Sequence, residues 1–224
     1  MSRCMGTGKG LPYLQEHQLL TSYTIRVAAI AALVVAISFI TWGKVGVNLA
    51  DEGFLWYGGY QAALGKVPLL DFQAYDPARY YWLAIWFQVL GDNSLLAMRI
   101  ATAVFQLIGI VFGLLALRNV VYSWRAMVIV GFLLALWMFP SYKLYDHCIA
   151  LIAVYIANIL VNRPGIKQHF LAGVFVGLAA FWGRNHGLYT SVSFAVLIFV
   201  LHFHRNRVVT DSWKKKMVVW CSGI

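Results

Sequence analysis

Charge is scarce in this chain, and acid is scarcer than base. Only 12% of its 224 residues are charged, and eight are Asp or Glu. Ordinary soluble domains carry about a quarter charged residues, so a soluble globular fold is excluded. Cysteine is also rare. Cys4, Cys148 and Cys221 are scattered without CxxC spacing, which argues against a structural zinc site or a disulfide framework. Cys148 is expected to pack as a small hydrophobe. No soluble domain, low-complexity tract or internal repeat interrupts the chain. The alternating ten-residue strands of a transmembrane barrel are missing too; long unbroken apolar blocks stand in their place.

What is present is apolar surface. Hydrophobic residues make up 61% of the chain and the mean hydropathy is +0.71. The fold class these values predict is all-α, a polytopic membrane helical bundle. Nine Trp and twelve Tyr suit interfacial aromatic belts. The formal charge of +10 fits basic cytoplasmic loops, with no nucleic-acid partner. The run GTGKG at residues 6–10 lacks the four-residue spacing and the Ser or Thr of a phosphate loop, so it reads as flexible tail.

Residues 1–24 are expected to form a cytoplasmic N-terminal tail and residues 25–224 the membrane domain. The first apolar block is too long for a signal-peptide core and reads as an uncleaved anchor. Blocks follow at residues 25–47, 94–117, 126–140, 148–161, 170–182 and 188–203, about six spans, and a seventh starts at residue 217. Several fall short of the ~20 residues of a straight span. With a cytoplasmic N-terminus, the inner side holds Arg3, Lys9, Arg26, Arg118, Arg125, Arg163, Lys167, Arg205, Arg207 and Lys214 to Lys216, twelve of the eighteen basic residues. That is the bias the positive-inside rule describes. The outer side then holds Asp51, Glu52, Asp71, Asp76, Asp92 and Asp146, six of the eight acids.

This alternation requires that the apolar piece at residues 80–90 does not cross. It is expected to lie at the outer interface, or to dip in and return. Residues 48–93 then form one long outer loop carrying short interfacial helices, and long loops are usually functional. Phe54, Leu55, Tyr57, Ala62 and Leu64 suggest a surface helix, and Gly65-Lys66-Val67-Pro68 supplies its stop. Asp71-Phe72 and Asp76-Pro77 read as turns that turn their carboxylates back toward Asp51.

Asp51-Glu52-Gly53, Gly65-Lys66-Val67-Pro68, Asp71-Phe72, Asp76-Pro77, Tyr80-Tyr81, Gly91 and Arg99, in this order and spacing, resemble the first loop of GT-C class membrane glycosyltransferases. The closest likeness is to the protein-mannosyltransferase-like and aminoarabinose-transferase-like branch, the glycosyltransferase 39 type. Tyr145-Asp146 and Arg184-Asn185-His186-Gly187 resemble the family's later outer turns. Pro77-Ala78 stands where the family shows two prolines. Members have more helices and often a C-terminal soluble domain, so the resemblance implies an N-terminal half.

The resemblance implies a glycosyltransferase that moves a sugar from a polyprenyl-phosphate carrier to an acceptor on the non-cytoplasmic face; a prokaryotic source places it in the bacterial inner membrane with the loop periplasmic or extracellular, a eukaryotic one in the ER with the loop lumenal. Such a reaction needs a carboxylate to take the acceptor's proton and cations to stabilise the leaving phosphate. Asp51 is the expected base. Glu52 beside it raises its proton affinity, or both acids simply favour the first turn of a helix. Asp76 is a second catalytic acid or a turn former, and Asp71 is structural. Arg79, Arg99 and Arg184, with Lys143 behind them, are the candidate phosphate cations, or snorkelling and paired charges. Tyr80 and Tyr81 complete the substrate-binding set. His147 and His186 are candidates for assisting proton transfer. His202 and His204 point apart on a helix and make no metal pair. No cofactor is required by these residues; a divalent cation between Asp51 and Asp76 is chemically admissible, though no spacing demands it. Two other readings remain open: a non-catalytic membrane subunit assembling with a partner, and a lipid or solute transporter. Transporters place charge near mid-membrane, which these apolar blocks lack.

Overall fold

The computed structural model describes residues 11–43, 45–139, 143–205 and 213–224. The run at residues 6–10, the basic residues Arg3, Lys9 and Arg207, and the side chains of His202 and His204 lie outside what is described. Helix α1 spans Leu11–Trp42, α2 Asp51–Ala63, α3 Pro77–Leu90, α4 Leu95–Ala116, α5 Trp124–Trp137, α6 Leu144–Asn162, α7 Ile166–Trp182, α8 Arg184–Arg205 and α9 Trp213–Cys221. The protein is all-α. Among the described residues the only sheet-like feature is an isolated bridge between Pro68 and Phe72.

Among the described residues three helices are long and apolar enough to cross a membrane: Thr21–Trp42, Leu95–Ala116 and Leu144–Asn162. Trp124–Trp137 and Ile166–Trp182 are apolar but shorter. Helix begins at Leu11, well before the apolar block; Pro12 falls in its first turn, where proline is tolerated, and no glycine or further proline interrupts residues 13–24.

Helix α4 is the hub, packed against α1, α3, α5 and α6. Gly109 lets it lie close to α6: a Cβ there would sit 2.9 Å from the Cys148 Cα. Ala97, Met98, Ala101, Phe105, Ile110 and Leu114 of α4 are buried in the main core. A second core gathers Leu160, Ala172, Val176, Phe194, Ile198 and Trp220 from α6 to α9.

The stretch at residues 48–93, expected as an outer loop, folds around a helical pair. Helix α2 lies on α3, and a Cβ at Gly59 would meet the Leu83 Cβ at 2.7 Å. Gly65 at φ +85° and Gly91 at φ +62° close the two helices in the left-handed region that glycine tolerates. Both ends of α3 stay at one end of the bundle. Its first turn reaches Asp146 at the start of α6, and the residues after it join α4, where Trp56 of α2 donates to the Asn93 carbonyl at 2.6 Å. At the opposite end, Asn158 of α6 donates to the Ala116 carbonyl of α4 at 2.9 Å. The six acids whose side chains are described all belong to the first end or to its connections.

Candidate functional site

The first group of polar residues forms where α1 hands over to α2. The Asn48 side-chain oxygen accepts from the Ala50 amide at 3.1 Å, and its side-chain amide donates to the Asp51 carboxylate at 2.8 Å. The Asn48 backbone amide donates to Glu52 at 3.2 Å. These bonds organise the start of α2, where acids also suit the helix dipole. Arg99, one turn into α4, donates to the carbonyls of Gly43, Val45 and Gly46 and lies 3.7 Å from Glu52. Its guanidinium thus caps the carbonyl-rich exit of α1, as cations at helix C-termini do.

Beside this pair lies a cavity of about 540 Å³ between α1, α4, α5 and the start of α6. Its wall is mostly apolar, with Trp42, Phe139 and Leu144 among the lining residues, and Glu52, Arg99 and Gln106 supply polar groups. Thr102 and Gln106 line it too and are buried. Sequence reading passed over both. The signal was there, since positions 99, 102 and 106 share one helical face, and polar groups on an apolar helix mark a lined space.

The second group joins four helix ends. Arg79 lies 3.1 Å from Asp76 and 2.5 Å from Asp146, and its Nε donates to the Trp182 carbonyl at 3.2 Å. Asp146 Oδ1 is also 2.9 Å from His186 Nε2. The guanidinium rests on the Tyr145 ring at 5.6 Å, and Tyr145 stacks on Trp182. Gly183 leaves room for this packing, because a Cβ there would meet the His186 ring at 2.6 Å. Asp76, expected to face Asp51, is instead held by Arg79. Asp51 and Asp76 are engaged by different partners, and among the described residues no three His, Cys, Asp or Glu side chains converge into a metal-ligand set. No step is therefore derived through a cation.

The remaining candidates separate cleanly. Tyr80 is buried at 3% exposure between the rings of Phe54 and Phe72. Burial pushes its phenol above the ordinary range, so it is a packing residue of α3. Tyr81 is more exposed and stacks on Phe181. Asp71 accepts from the Val67 amide at 2.7 Å, closing its turn. His147 is fixed by the Lys143 carbonyl at 2.8 Å and the Trp137 ring. Arg184 opens α8 exposed, with no ion pair among the described residues. No protein-family model, curated protein or solved structure matches this chain.

Proposed function

We propose that this chain carries the first-loop half of a membrane glycosyltransferase of GT-C type, transferring a sugar from a polyprenyl-phosphate carrier at the acid-rich, non-cytoplasmic end of the bundle. The observation that carries the reading is the amphipathic cavity, whose mostly apolar wall holds the Glu52–Arg99 pair. Asp51 precedes Glu52 in the chain and is bonded to Asn48, which lines the cavity. A polyprenyl phosphate has the same polarity: a charged head and a long apolar tail.

Asp51 remains the base in this reading. Glu52 is neutralised by Arg99, and Asp76 and Asp146 share Arg79. Among the described residues Asp51 is bonded to the neutral Asn48 amide, has no ion pair and is exposed, so its carboxylate is open to an acceptor hydroxyl. The acceptor O–H proton passes to Asp51, the oxygen bonds to the anomeric carbon, and the bond from that carbon to the phosphate oxygen breaks. The electron pair leaves on the lipid phosphate. Arg99, on the cavity wall, is the cation placed to meet it, while Arg79 holds the frame. Arg184 and Tyr81 are further substrate contacts in this reading, and Tyr80 acts through packing. The basic opposite end faces the cytoplasm in this arrangement.

The test is transfer of label from radiolabelled polyprenyl-phosphate sugars in membranes holding the full reading frame. Asp51→Asn is expected to lower transfer by roughly 10²–10⁴-fold with unchanged protein accumulation. Wild-type transfer that Asp51→Asn leaves intact removes Asp51 from the mechanism. No transfer by the wild type with any donor favours the non-catalytic subunit.

A further inference from the structure

At the end opposite the acids, four side chains from α1, α5 and the α4–α5 turn stack in one column. The Arg26 guanidinium lies 5.6 Å from the Trp124 ring, Trp124 lies 5.3 Å from Tyr23, and the Arg118 guanidinium lies 5.3 Å from the Tyr23 ring. The order is cation, ring, ring, cation. Neither guanidinium has an ion pair among the described residues, and neither has the exposed Arg125 next to Trp124. A cavity of about 400 Å³ opens against the column, lined by Tyr23, Arg118, Asn119, Tyr122, Trp124 and Met127. Tyr23 lines it, and the Tyr23 hydroxyl is buried with no hydrogen-bond partner among the described residues.

Each of these features asks for the same ligand chemistry. Unpaired guanidiniums bind phosphate oxygens through their planar fork. Exposed apolar side chains share the faces of two of the arginines: Leu33 lies two turns from Arg26 on α1, and Ile129 and Leu133 lie one and two turns from Arg125 on α5. A free phosphate would make no use of that apolar surface, whereas acyl chains would. With three arginines and no described acid at this end, a headgroup of net negative charge is favoured over a zwitterionic one.

We infer that the Arg26–Trp124–Tyr23–Arg118 column binds the headgroup of an anionic phospholipid of the cytoplasmic leaflet, its phosphodiester at Arg118 and its chains along α1 and α5. The inference rests on the membrane reading of the apolar helices and not on the transferase reading. It assigns the end of the molecule that the proposed reaction leaves unused.

The full chain, purified in detergent with equimolar phosphatidylglycerol and phosphatidylcholine, is examined by native mass spectrometry. The wild type is expected to retain phosphatidylglycerol in preference, and rising salt to release it. The double variant Arg26→Gln/Arg118→Gln is expected to bind phosphatidylglycerol about thirtyfold more weakly and phosphatidylcholine unchanged. Equal retention of the two lipids by the wild type overturns the site, as does undiminished phosphatidylglycerol on the double variant. If that variant does not fold, insensitivity of wild-type retention to salt overturns it equally. Glycerophosphoglycerol displacing the lipid at matching concentration would reassign the column to a free phosphodiester.

Discussion

Arg79 makes polar contacts with groups from α6, from the end of α7 and from its own helix start, so its removal does more than delete one bond. It leaves Asp76 and Asp146 facing each other without their shared cation. With the arginine side chain 16% exposed, the loss lies between a surface pair and a buried one. Arg79→Gln is expected to cost about 2 kcal/mol, and Asp76→Asn distinctly less, because only Arg79→Gln strands two like charges. Thermal unfolding in detergent orders the two variants; equal losses would mean that Asp76 holds Arg79 alone. Arg99 gives a parallel case. Its fork spans carbonyls of Gly43, Val45 and Gly46, which a single ammonium cannot do. Arg99→Lys is expected to destabilise the α1–α4 junction by about 1–2 kcal/mol, read by faster hydrogen exchange at residues 43–49.

At the scale of the element, the helix caps show what local sequence reveals. Ser94 accepts from the Ala97 amide at 3.2 Å and donates to Asp92 at 2.6 Å, while its own amide donates to Asp92 at 2.9 Å. The Ser94 hydroxyl, followed by the backbone amides, holds the Asp92 carboxyl below its usual range. A lowered carboxyl pKa contributes stability that is present above the unfolded carboxyl range and fades as pH falls through the folded value. Ser94→Ala is expected to move the Asp92 titration up toward that range, followed by carboxyl-carbon NMR, and to cost about 1 kcal/mol through loss of the cap. Such signals are legible because every partner lies within a few residues. The same holds for α2, expected from the apolar positions 54 to 64 and found as Asp51–Ala63, and for the short α3. The Asp76–Arg79–Asp146–His186 group was not legible as a group. Each of its members was noticed singly, but the pairings of Asp146 with Arg79 and with His186 span separations of 67 and 40 residues. Helix packing decides those pairings, and spacing carries no trace of it. The burial of Tyr80 was hidden for a related reason: an aromatic beside charges looks exposed until α2 is laid over it.

For the whole molecule, the polarity of the two ends makes a topological prediction. In a background with Cys4, Cys148 and Cys221 replaced, a cysteine at the exposed Gln73 is expected to react with a membrane-impermeant maleimide in intact cells. A cysteine at the exposed Asn119 is expected to react only after permeabilisation. The reverse pattern would invert the orientation, and labelling of both in intact cells would remove the alternation altogether.

The Arg79 contacts also have a history in time. The carbonyl that receives its Nε belongs to a residue 103 positions later in the chain, and its Asp146 partner comes 67 positions later. At a synthesis rate of about 5–20 residues per second, Arg79 waits roughly 3–13 s for Asp146 and about 5–20 s for Trp182. Throughout that interval the α2–α3 pair has left the ribosome while its clasp is still unmade, so this pair must either rest on α4 alone or be escorted by a membrane chaperone until α6 and α7 arrive.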